Sequence, residues 1–592
     1  MSKVLLSSLA LALFAATVLA VEPSAADLDK RRKAFDDLLH EQWEYVLRTS
    51  PEFASYLGDK RYNDQLSDVS EAAVKRDIAK SRAFLRRAES IGVAGFSDQE
   101  KISHALFVRS LREGIEDAEM KSWEMPVSQI GGIHLNAAQF PVFLQFTSVK
   151  DYDDYLQRMR KLPKQFDDTI DNMRKGMRDH LMPPKFLLEK VAVQASAIAS
   201  QAPEQSPFAL PLQNFPASIG EADRARIRTE YLDAIRTSVL PAYQRFATFV
   251  RDDYAPHGRL DPGIWSLPDG AKHYAMRIRH STTTNMTADQ IHEIGLHEVA
   301  RIEGEMLAIA KSLGFTDLQS FRASLDTNPD IHAKSREQIL DLYRKYIDQM
   351  YAKLPQLFGR LPKAKLVVVP VEAFREKEAP GAQYESPSMD GSRPGRVEVN
   401  TSQPTSRKTI NMESTAYHEG VPGHHMQIAI AQELTSLPEF RKNGVNFTAY
   451  VEGWALYSER LGKEVGFYQN PYNDYGRLQD EMLRAIRLVV DTGLHAKKWT
   501  RQQVVDFFHA HTAEDEVEVQ NETDRYIVWP GQALGYKVGQ MKISELRERA
   551  RTMLGDRFDI RAFHDEVLGA GALPLDVLEK RIDDWVASQN SH

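Results

Sequence analysis

The chain has 592 residues, a mixed charge balance and no cysteine. It carries 75 Lys and Arg residues against 83 Asp and Glu residues, a formal net charge of -8. No basic stripe interrupts this balance, so nucleic acid is excluded as an expected partner. The absence of cysteine excludes disulfides, thiolate metal sites and a thiol nucleophile. Any metal must therefore be bound by histidine and carboxylate side chains.

The N-terminus has the pattern of a secretory signal peptide. Lys3 is the only charge before an apolar stretch over residues 4–19, and Val18-Leu19-Ala20 offers small or compact residues at a cleavage site. We predict cleavage near Ala20, which leaves a mature protein in the periplasm or outside the cell. A membrane anchor is the alternative, but the stretch is shorter than the roughly 20 apolar residues of a span. No later stretch is long and apolar enough, and no cysteine offers a lipid attachment point, so stable membrane insertion is not expected.

Amphipathic helices dominate the mature chain. Apolar residues recur at three- and four-residue spacing, and Asp27 and Thr287 are candidate N-caps. The predicted helices are Ala26–Thr49, Asp151–Gly176, Ala222–Tyr254, Thr287–Leu313, Ser335–Leu354 and Tyr475–Lys498. Ser200–Gly220 and Asp252–His280 are predicted to be long surface loops or lids. Neither linkers nor repeats divide the chain, which predicts one mainly α domain over residues 21–592.

One small β-sheet is predicted before the most chemically informative segment. Lys365–Val371 and Arg396–Asn400 are rich in β-branched residues, and the polar, glycine-rich stretch Gly381–Gly395 separates them. We expect the second strand to lie at the edge of the sheet. There it could pair with an extended peptide.

Residues 417–427 contain three histidines and a glutamate, the residue types of a zinc hydrolase. Two neutral imidazoles can hold Zn²⁺, and a glutamate beside the first can act as general base on a water molecule. His418 and Glu419 fit these two roles. The next histidines lie six and seven residues later, not the usual four, and Pro422 predicts a break in the helix between them. We favour His424 as the second ligand, because His425 would lie two turns from His418 on an intact helix, roughly 10 Å away.

A second segment supplies the carboxylates. Glu452 and Glu459 are seven residues apart and therefore lie on one face of a helix. Glu452, one helix after His424, is predicted to be the third metal ligand. Glu459 is predicted to orient a ligating histidine through its free ring nitrogen.

A similar pattern at His292-Glu293 and His297 is predicted to be structural. The two histidines lie five apart in an uninterrupted amphipathic helix, so their side chains diverge by about 140°. No later glutamate is suitably placed to complete a metal site.

Taken together, these motifs resemble the bacterial family called Domain of Unknown Function 885, whose members carry the segment that begins at His418. The resemblance extends over nearly the whole mature chain. The matching segments are 267–270, 291–302, 392–395, 452–457, 491–495 and 530–537. A weaker likeness connects the chain to helical gluzincin peptidases such as angiotensin-converting enzyme, neurolysin and thermostable carboxypeptidases. It implies a mainly α, two-lobed clamp around a deep channel, with the small sheet beside the zinc-site helix.

The gluzincin resemblance also implies roles for residues late in the chain. In those enzymes a tyrosine stabilises the oxyanion of the tetrahedral intermediate, a role that Tyr526 or, alternatively, Tyr536 would take. Arg525 or Lys537 would bind a substrate carboxylate. His495, as a further catalytic residue, would stabilise the transition state.

The expected function is thus an exported, zinc-dependent peptidase acting on short peptides, either a carboxypeptidase or an oligopeptidase. The alternatives are an amidase acting on cell-wall peptides and a non-catalytic periplasmic protein that binds metal or peptide. A pure metal-binding protein would not need Glu419 beside its ligand, which favours an enzyme.

Overall fold

The computed structural model describes residues 24–371, 376, 379–387, 393–514 and 516–590, so the signal-peptide prediction lies outside the described residues. The protein is mainly helical with one small sheet, as predicted. The α-helices, in chain order, are α1 (Ala25–Thr49), α2 (Pro51–Tyr56), α3 (Glu71–Glu89), α4 (Asp98–Glu119), α5 (Ile133–Gln139), α6 (Val149–Arg178), α7 (Lys185–Ala199), α8 (Glu221–Ala234), α9 (Leu240–Phe249), α10 (Gly270–Thr282), α11 (Ala288–Ser312), α12 (Leu318–Thr327), α13 (Arg336–Tyr351), α14 (Leu354–Leu357), α15 (Met412–Glu419), α16 (His424–Glu433), α17 (Thr448–Glu464), α18 (Pro471–His495), α19 (Arg501–His511), α20 (Glu516–Val528), α21 (Leu534–Leu554), α22 (Ile560–Leu568) and α23 (Leu575–Asn590).

All six predicted helices are present, with ends shifted by a few residues. Thr287 is the N-cap of α11, and its hydroxyl and the Gln290 side chain form a reciprocal capping box. The other candidate cap is wrong. Ser24 caps α1, because its hydroxyl accepts a hydrogen bond from the backbone N–H of Asp27, which lies inside the first turn.

The predicted helix Ala222–Tyr254 consists of four consecutive segments. α8 and α9 are joined through a π-helical turn at Ile235–Val239, and a second π-helical turn follows at Val250–Tyr254. The first π-helical turn lies just before Pro241, whose nitrogen cannot donate the helical hydrogen bond. The apolar periodicity continues through both turns, which is why the sequence predicts a single helix.

The two predicted loops differ from expectation. Ser200–Gly220 forms short 3-10 turns that bury Phe208 and Leu212, so this segment is part of the core and not a lid. Asp252–His280 is not a loop throughout, because its second half contains most of α10.

The small sheet has three strands in the order β1-β3-β2. β1 (Leu366–Pro370) pairs in parallel with β3 (Gly395–Val399), and β2 (Ala382–Glu385) pairs with β3 in antiparallel orientation. The expectation that the second predicted strand lies at an edge is wrong, because β3 is central. β2 was not predicted, because its sequence Ala-Gln-Tyr-Glu lacks a β-branched run and lies within the polar stretch.

α17 packs against α15, which carries His418, and also lies very close to α21. α17 packs against α21 so tightly that a Cβ on Gly539 would lie 1.7 Å from the carbonyl oxygen of Ala449. A Cβ on Gly453 would lie 2.5 Å from Gly539 Cα. Only glycine permits this approach of two backbones. α17, which carries the predicted carboxylates, is therefore fixed against the core.

Candidate metal centre

The histidine segment is a broken helix, as Pro422 predicts. α15 ends at Glu419 and α16 begins at His424, with a turn between them. A Cβ on Gly423 would lie 2.0 Å from the carbonyl oxygen of His418, so only glycine fits at this turn. The break lets a histidine from the last turn of α15 and one from the first turn of α16 face the same point.

His418, His424 and Glu452 present three ligand atoms to that point. Their ligand atoms all lie within 4.8 Å of one another. Glu452 Oε2 lies 3.6 Å from His418 Nε2 and 3.5 Å from His424 Nε2. Zinc–ligand bonds of about 2.0–2.2 Å at tetrahedral angles place donor atoms roughly 3.3–3.6 Å apart. The donor set and its spacing therefore fit a zinc ion.

The second ring nitrogen of each histidine is also engaged. His418 Nδ1 donates to Glu459 Oε1 at 2.7 Å, which is the orienting contact predicted for Glu459. His424 Nδ1 lies 3.0 Å from Gln427 Nε2, whose amide also donates to the Val451 carbonyl. A metal on His424 Nε2 requires a proton on Nδ1. Turning the Gln427 amide would set its oxygen against the Val451 carbonyl, so we expect metal binding to break the Gln427–His424 hydrogen bond and to leave the one to Val451.

Electrostatics in this cluster favour a positive charge. Burial would lower the pKa of His418, but its contacts with Glu452 and Glu459 raise it to about 10. Burial would raise the pKa of Glu452, but His424 and His418 hold it well below its ordinary value. A cation bound here would replace the proton that His418 holds.

His425 faces away from this point. Its Nδ1 accepts from the Tyr384 hydroxyl at 3.0 Å, and its Nε2 donates to the Ala364 carbonyl at 3.1 Å. Both ring nitrogens thus connect α16 to the sheet. This arrangement supports His424 as the ligand. Neither Tyr384 nor Gln427 was singled out from sequence, although the position of Gln427 three residues after His424 on one helix was a usable signal.

Glu419 is adjacent to the candidate ligand His418 and is partly exposed. Its charge contributes to the raised pKa of His418 and, after burial, to the raised pKa of Tyr343 on α13. Within the described part of the chain, no hydrogen bond holds this carboxylate. It is available to a water molecule or a substrate.

Of the two candidate tyrosines, Tyr536 lies nearer the metal ligands. Burial, and then the neighbouring Glu452 carboxylate, raise the pKa of Tyr536. The Tyr526 hydroxyl instead donates to Glu522 and accepts from Arg487 at 3.1 Å. The gluzincin resemblance favoured Tyr526 as a tyrosine near the start of a helix, but Tyr526 lies in the last turn of α20, whereas Tyr536 lies in the first turn of α21. The Tyr526 hydroxyl is also committed to Glu522 and Arg487.

Two arginines surround Tyr536. Arg525 donates to its hydroxyl at 3.4 Å and also to Glu522 and Gln532. Arg487, which the sequence analysis did not identify, lies with its guanidinium 4.6 Å from the Tyr536 ring centroid. The Nη1 atom of Arg487 is buried without a hydrogen-bond partner in the described structure. Both guanidinium groups also pair with Glu522, at 2.9 and 3.0 Å, and we call the two arginines and Tyr536 the basic wall beside Glu452.

Lys537 is not part of this wall. It is fully buried, and its ammonium group contacts Glu298 at 2.9 Å and Glu481 at 2.7 Å. Both carboxylates belong to helices that pack around α21. The structure thus places Lys537 in a buried ion cluster and not in position for a substrate carboxylate.

His495, which was expected to be catalytic, and Asp491, one turn before it on α18, make separate contacts. His495 Nδ1 accepts from the Ile264 N–H at 3.0 Å, and its Nε2 donates to the Tyr526 carbonyl at 2.9 Å. Asp491 accepts from the Tyr274 hydroxyl and from the Gly531 N–H. Both side chains are saturated by structural contacts, so the catalytic role expected for His495 has no support in this geometry.

The second histidine pattern is structural, as predicted. His292 is buried and its Nδ1 lies 2.8 Å from the Thr492 hydroxyl, whereas His297 is exposed on the other side of α11. Among the described residues, the cluster of His418, His424 and Glu452 is the one group whose ligand atoms could hold a metal. The same part of the chain contains no helix long and apolar enough to cross a membrane.

Comparison with known proteins places the chain in a family. Solved structures with the same fold include a "putative lipoprotein" from Colwellia psychrerythraea, which is 30% identical over 94% of this chain and 100% of that chain, with a TM-score of 0.90. Another is a "putative lipoprotein of unknown function" from Shewanella oneidensis, which is 20% identical over 92% of this chain and 99% of that chain, with a TM-score of 0.73. No protein with a curated description matches the chain. The model for bacterial proteins of unknown function (DUF885) matches residues 51–582. The chain therefore belongs to the DUF885 family of bacterial proteins.

Proposed function

We propose that the protein is an exported zinc-dependent peptidase that hydrolyses short peptides, with His418, His424 and Glu452 as metal ligands. The observation that carries this proposal is the spacing of the three ligand atoms, with 3.5 and 3.6 Å separations from Glu452 Oε2. Glu419 beside the first ligand makes the site hydrolytic in character, because metal storage requires ligands but not an adjacent base.

The chemistry divides between the ion and the protein. Zinc, when bound, polarises the peptide carbonyl and lowers the pKa of a water molecule. Glu419 accepts a proton from the attacking water and delivers it to the amine nitrogen of the leaving group. Glu459 holds the His418 ring in the tautomer that leaves Nε2 free for the metal.

The basic wall beside Glu452 gives the substrate its orientation. The Tyr536 hydroxyl donates to the oxygen that becomes negatively charged as the peptide carbonyl is attacked. Arg487 and Arg525 offer guanidinium groups to a carboxylate of the peptide. If that group is the free C-terminal carboxylate of the peptide, the enzyme is a carboxypeptidase, which we favour over an oligopeptidase.

Export is proposed from the N-terminal signal pattern and from the description of the 30% identical Colwellia structure as a "putative lipoprotein". The two-lobed helical clamp with a deep channel belongs to the same proposal. Such a channel would admit short peptides and exclude folded proteins.

The direct test is a screen of a mixed peptide library by mass spectrometry, with purified protein, with and without a chelator. We expect cleavage that the chelator abolishes and added zinc restores. Glu419→Gln should keep zinc but lose about 10²–10⁴-fold in activity. Glu293→Gln, at the exposed glutamate of the structural histidine pair, is the matched control and should be fully active. Full activity of the Glu419 variant at unchanged zinc content would refute the mechanism.

Elemental analysis of two neighbouring variants tests the ligand assignment. His424→Ala should empty the site, whereas His425→Ala should retain about one zinc per chain. The reverse pattern would show that His425 is the ligand.

Modified substrates test specificity. An unstructured peptide of about ten residues should be cleaved, and its C-terminally amidated form should be cleaved poorly. Equal rates with and without the amide would identify an oligopeptidase. Equal cleavage of the same sequence within a compact folded domain would exclude the deep channel.

A further inference from the structure

A second cavity lies among the N-terminal helices, apart from the metal centre. Its volume is about 620 Å³, and α2, α5, α6 and the segment 66–69 contribute to its walls. Most of its lining is apolar, including Phe53, Leu66, Ile133 and Met159. Cavities of this size and character are typical of small-molecule sites. None of its lining residues belongs to the metal centre.

Two hydrogen-bond donors in its lining lack partners. Arg158 and Tyr155 are three residues apart on α6, so their side chains lie on one face of the helix. Arg158 is 1% exposed, and its Nη1 atom has no hydrogen-bond partner in the described structure. The Tyr155 hydroxyl is likewise buried without a partner. Buried donors normally have an acceptor, and each exception requires an explanation.

The remaining atoms of Arg158 fix its position but do not balance its charge. Its Nε and Nη2 atoms donate to three backbone carbonyls and to the Ser55 hydroxyl. Among the described residues, no carboxylate lies within ion-pair distance of this guanidinium. Burial accordingly lowers the pKa of Arg158 to about 10.

Three carboxylates also line the cavity, and each already has a partner. The pairs are Glu52 with Ser67, Asp68 with Arg76, and Asp77 with Tyr45. Asp68 is exposed at the surface, whereas Arg158 is buried. The Glu52 charge acts against this lowering of the Arg158 pKa but lies beyond ion-pair distance, and Arg158 is the one buried side chain among the four charged residues of the described lining.

We propose that this cavity binds an amphipathic monocarboxylate, with its aliphatic chain against the apolar lining and its carboxylate at Arg158 Nη1 and the Tyr155 hydroxyl. A carboxylate accepts from both donors at once and matches the planar guanidinium. An ordered water could accept these hydrogen bonds but would leave the charge unbalanced and the apolar volume unfilled. The inference is independent of peptidase activity, because it concerns residues outside the metal centre.

The test is isothermal titration of the full purified chain, treated with chelator, with three probes of equal chain length. These are decanoate, 1-decanol and decylamine. We expect decanoate to bind at least tenfold more tightly than decanol and decylamine to bind weakest. Equal affinities would overturn the proposal, since they indicate an unspecific apolar cavity. Preference for decylamine, or absence of binding by all three probes, would overturn it as well.

Three variants test whether decanoate binds in this cavity. Tyr155→Phe removes a hydroxyl without a partner, so it should fold normally, weaken decanoate binding about tenfold and leave decanol binding unchanged. Tyr152→Phe is the matched control on the same helix, because that hydroxyl donates to the Pro211 carbonyl and does not line the cavity. Ala137→Trp should fill the cavity and abolish binding of both probes. Unchanged decanoate binding by Ala137→Trp would place the ligand elsewhere and refute the proposal.

Discussion

Glu459 offers the sharpest test of how the metal centre is organised. It does not contact the proposed metal position, but it accepts a 2.7 Å hydrogen bond from His418 Nδ1. In Glu459→Gln the side-chain oxygen can still accept that bond, while the negative charge is lost. The new amide nitrogen would take the position of Oε2, which is buried without a partner, so the substitution should fit without displacing a neighbour.

The expected effect is on metal affinity and not on folding. Loss of a carboxylate that orients a ligating histidine typically weakens metal binding 10–100-fold. This corresponds to about 1.4–2.7 kcal/mol. The metal-free protein should still fold but with some loss of stability, because the buried ion pair between Glu459 and the protonated His418 is lost while Glu452 still faces that ring.

Competition with a zinc chelator of known affinity measures this loss, and urea unfolding of the metal-free proteins measures stability. Glu464→Gln is the control. It lies on the same helix and pairs with Arg547 at the partly exposed end. Zinc affinity should be unchanged in this control. A Glu459→Gln affinity within twofold of the wild type, or an equal loss in the control, would refute the orienting role.

Three further outcomes follow from the packing and the site. In urea unfolding, Gly539→Ala should lower the free energy of unfolding by about 3 kcal/mol or more, because the new Cβ would meet a backbone oxygen. Gly114→Ala, the control with open space around it, should raise the free energy of unfolding by about 0.5–1 kcal/mol. Burial lowers the pKa of His564 to about 3, so the unfolded chain binds a proton at this residue at higher pH than the folded protein does. The free energy of unfolding should therefore fall as the pH drops from 6.5 towards 3, by up to ~1.4 kcal/mol per pH unit. His564→Gln should make this slope flatter. Tyr536→Phe should lower kcat strongly and change KM little. Tyr526→Phe should mainly lower the unfolding temperature.

The helices and the grouping of His418, His424 and Glu452 were predictable because each depends on a short-range pattern in the sequence. The spacing of apolar residues predicted α1 and α18 to within a few residues. Pro422 predicted the helix break that brings His418 and His424 together. Such signals depend on the local chain alone. Strand β2 gave no such signal, because its pairing with β3 is a tertiary contact of four polar or small residues.

Side-chain roles late in the chain depended on three-dimensional partners and were predicted less well. The sequence favoured Tyr526 over Tyr536, but Glu522 and Arg487 engage the Tyr526 hydroxyl. Lys537 was expected to face substrate, but buried carboxylates on α11 and α18 surround it. The spacing of residues in the sequence does not show which of several neighbouring polar side chains will be engaged by charged partners in the fold.

Helix α17 acts as a common reference for every ligand of the metal centre. It carries Glu452, its Glu459 fixes the His418 ring, and its Val451 carbonyl holds the amide beside His424. The indole of Trp454, on the same helix, donates to the Pro422 carbonyl in the break. A small rigid shift of this helix would carry all three ligands together and preserve their mutual distances. The spacing of the three proposed ligand atoms should therefore be insensitive to small motions of the surrounding fold.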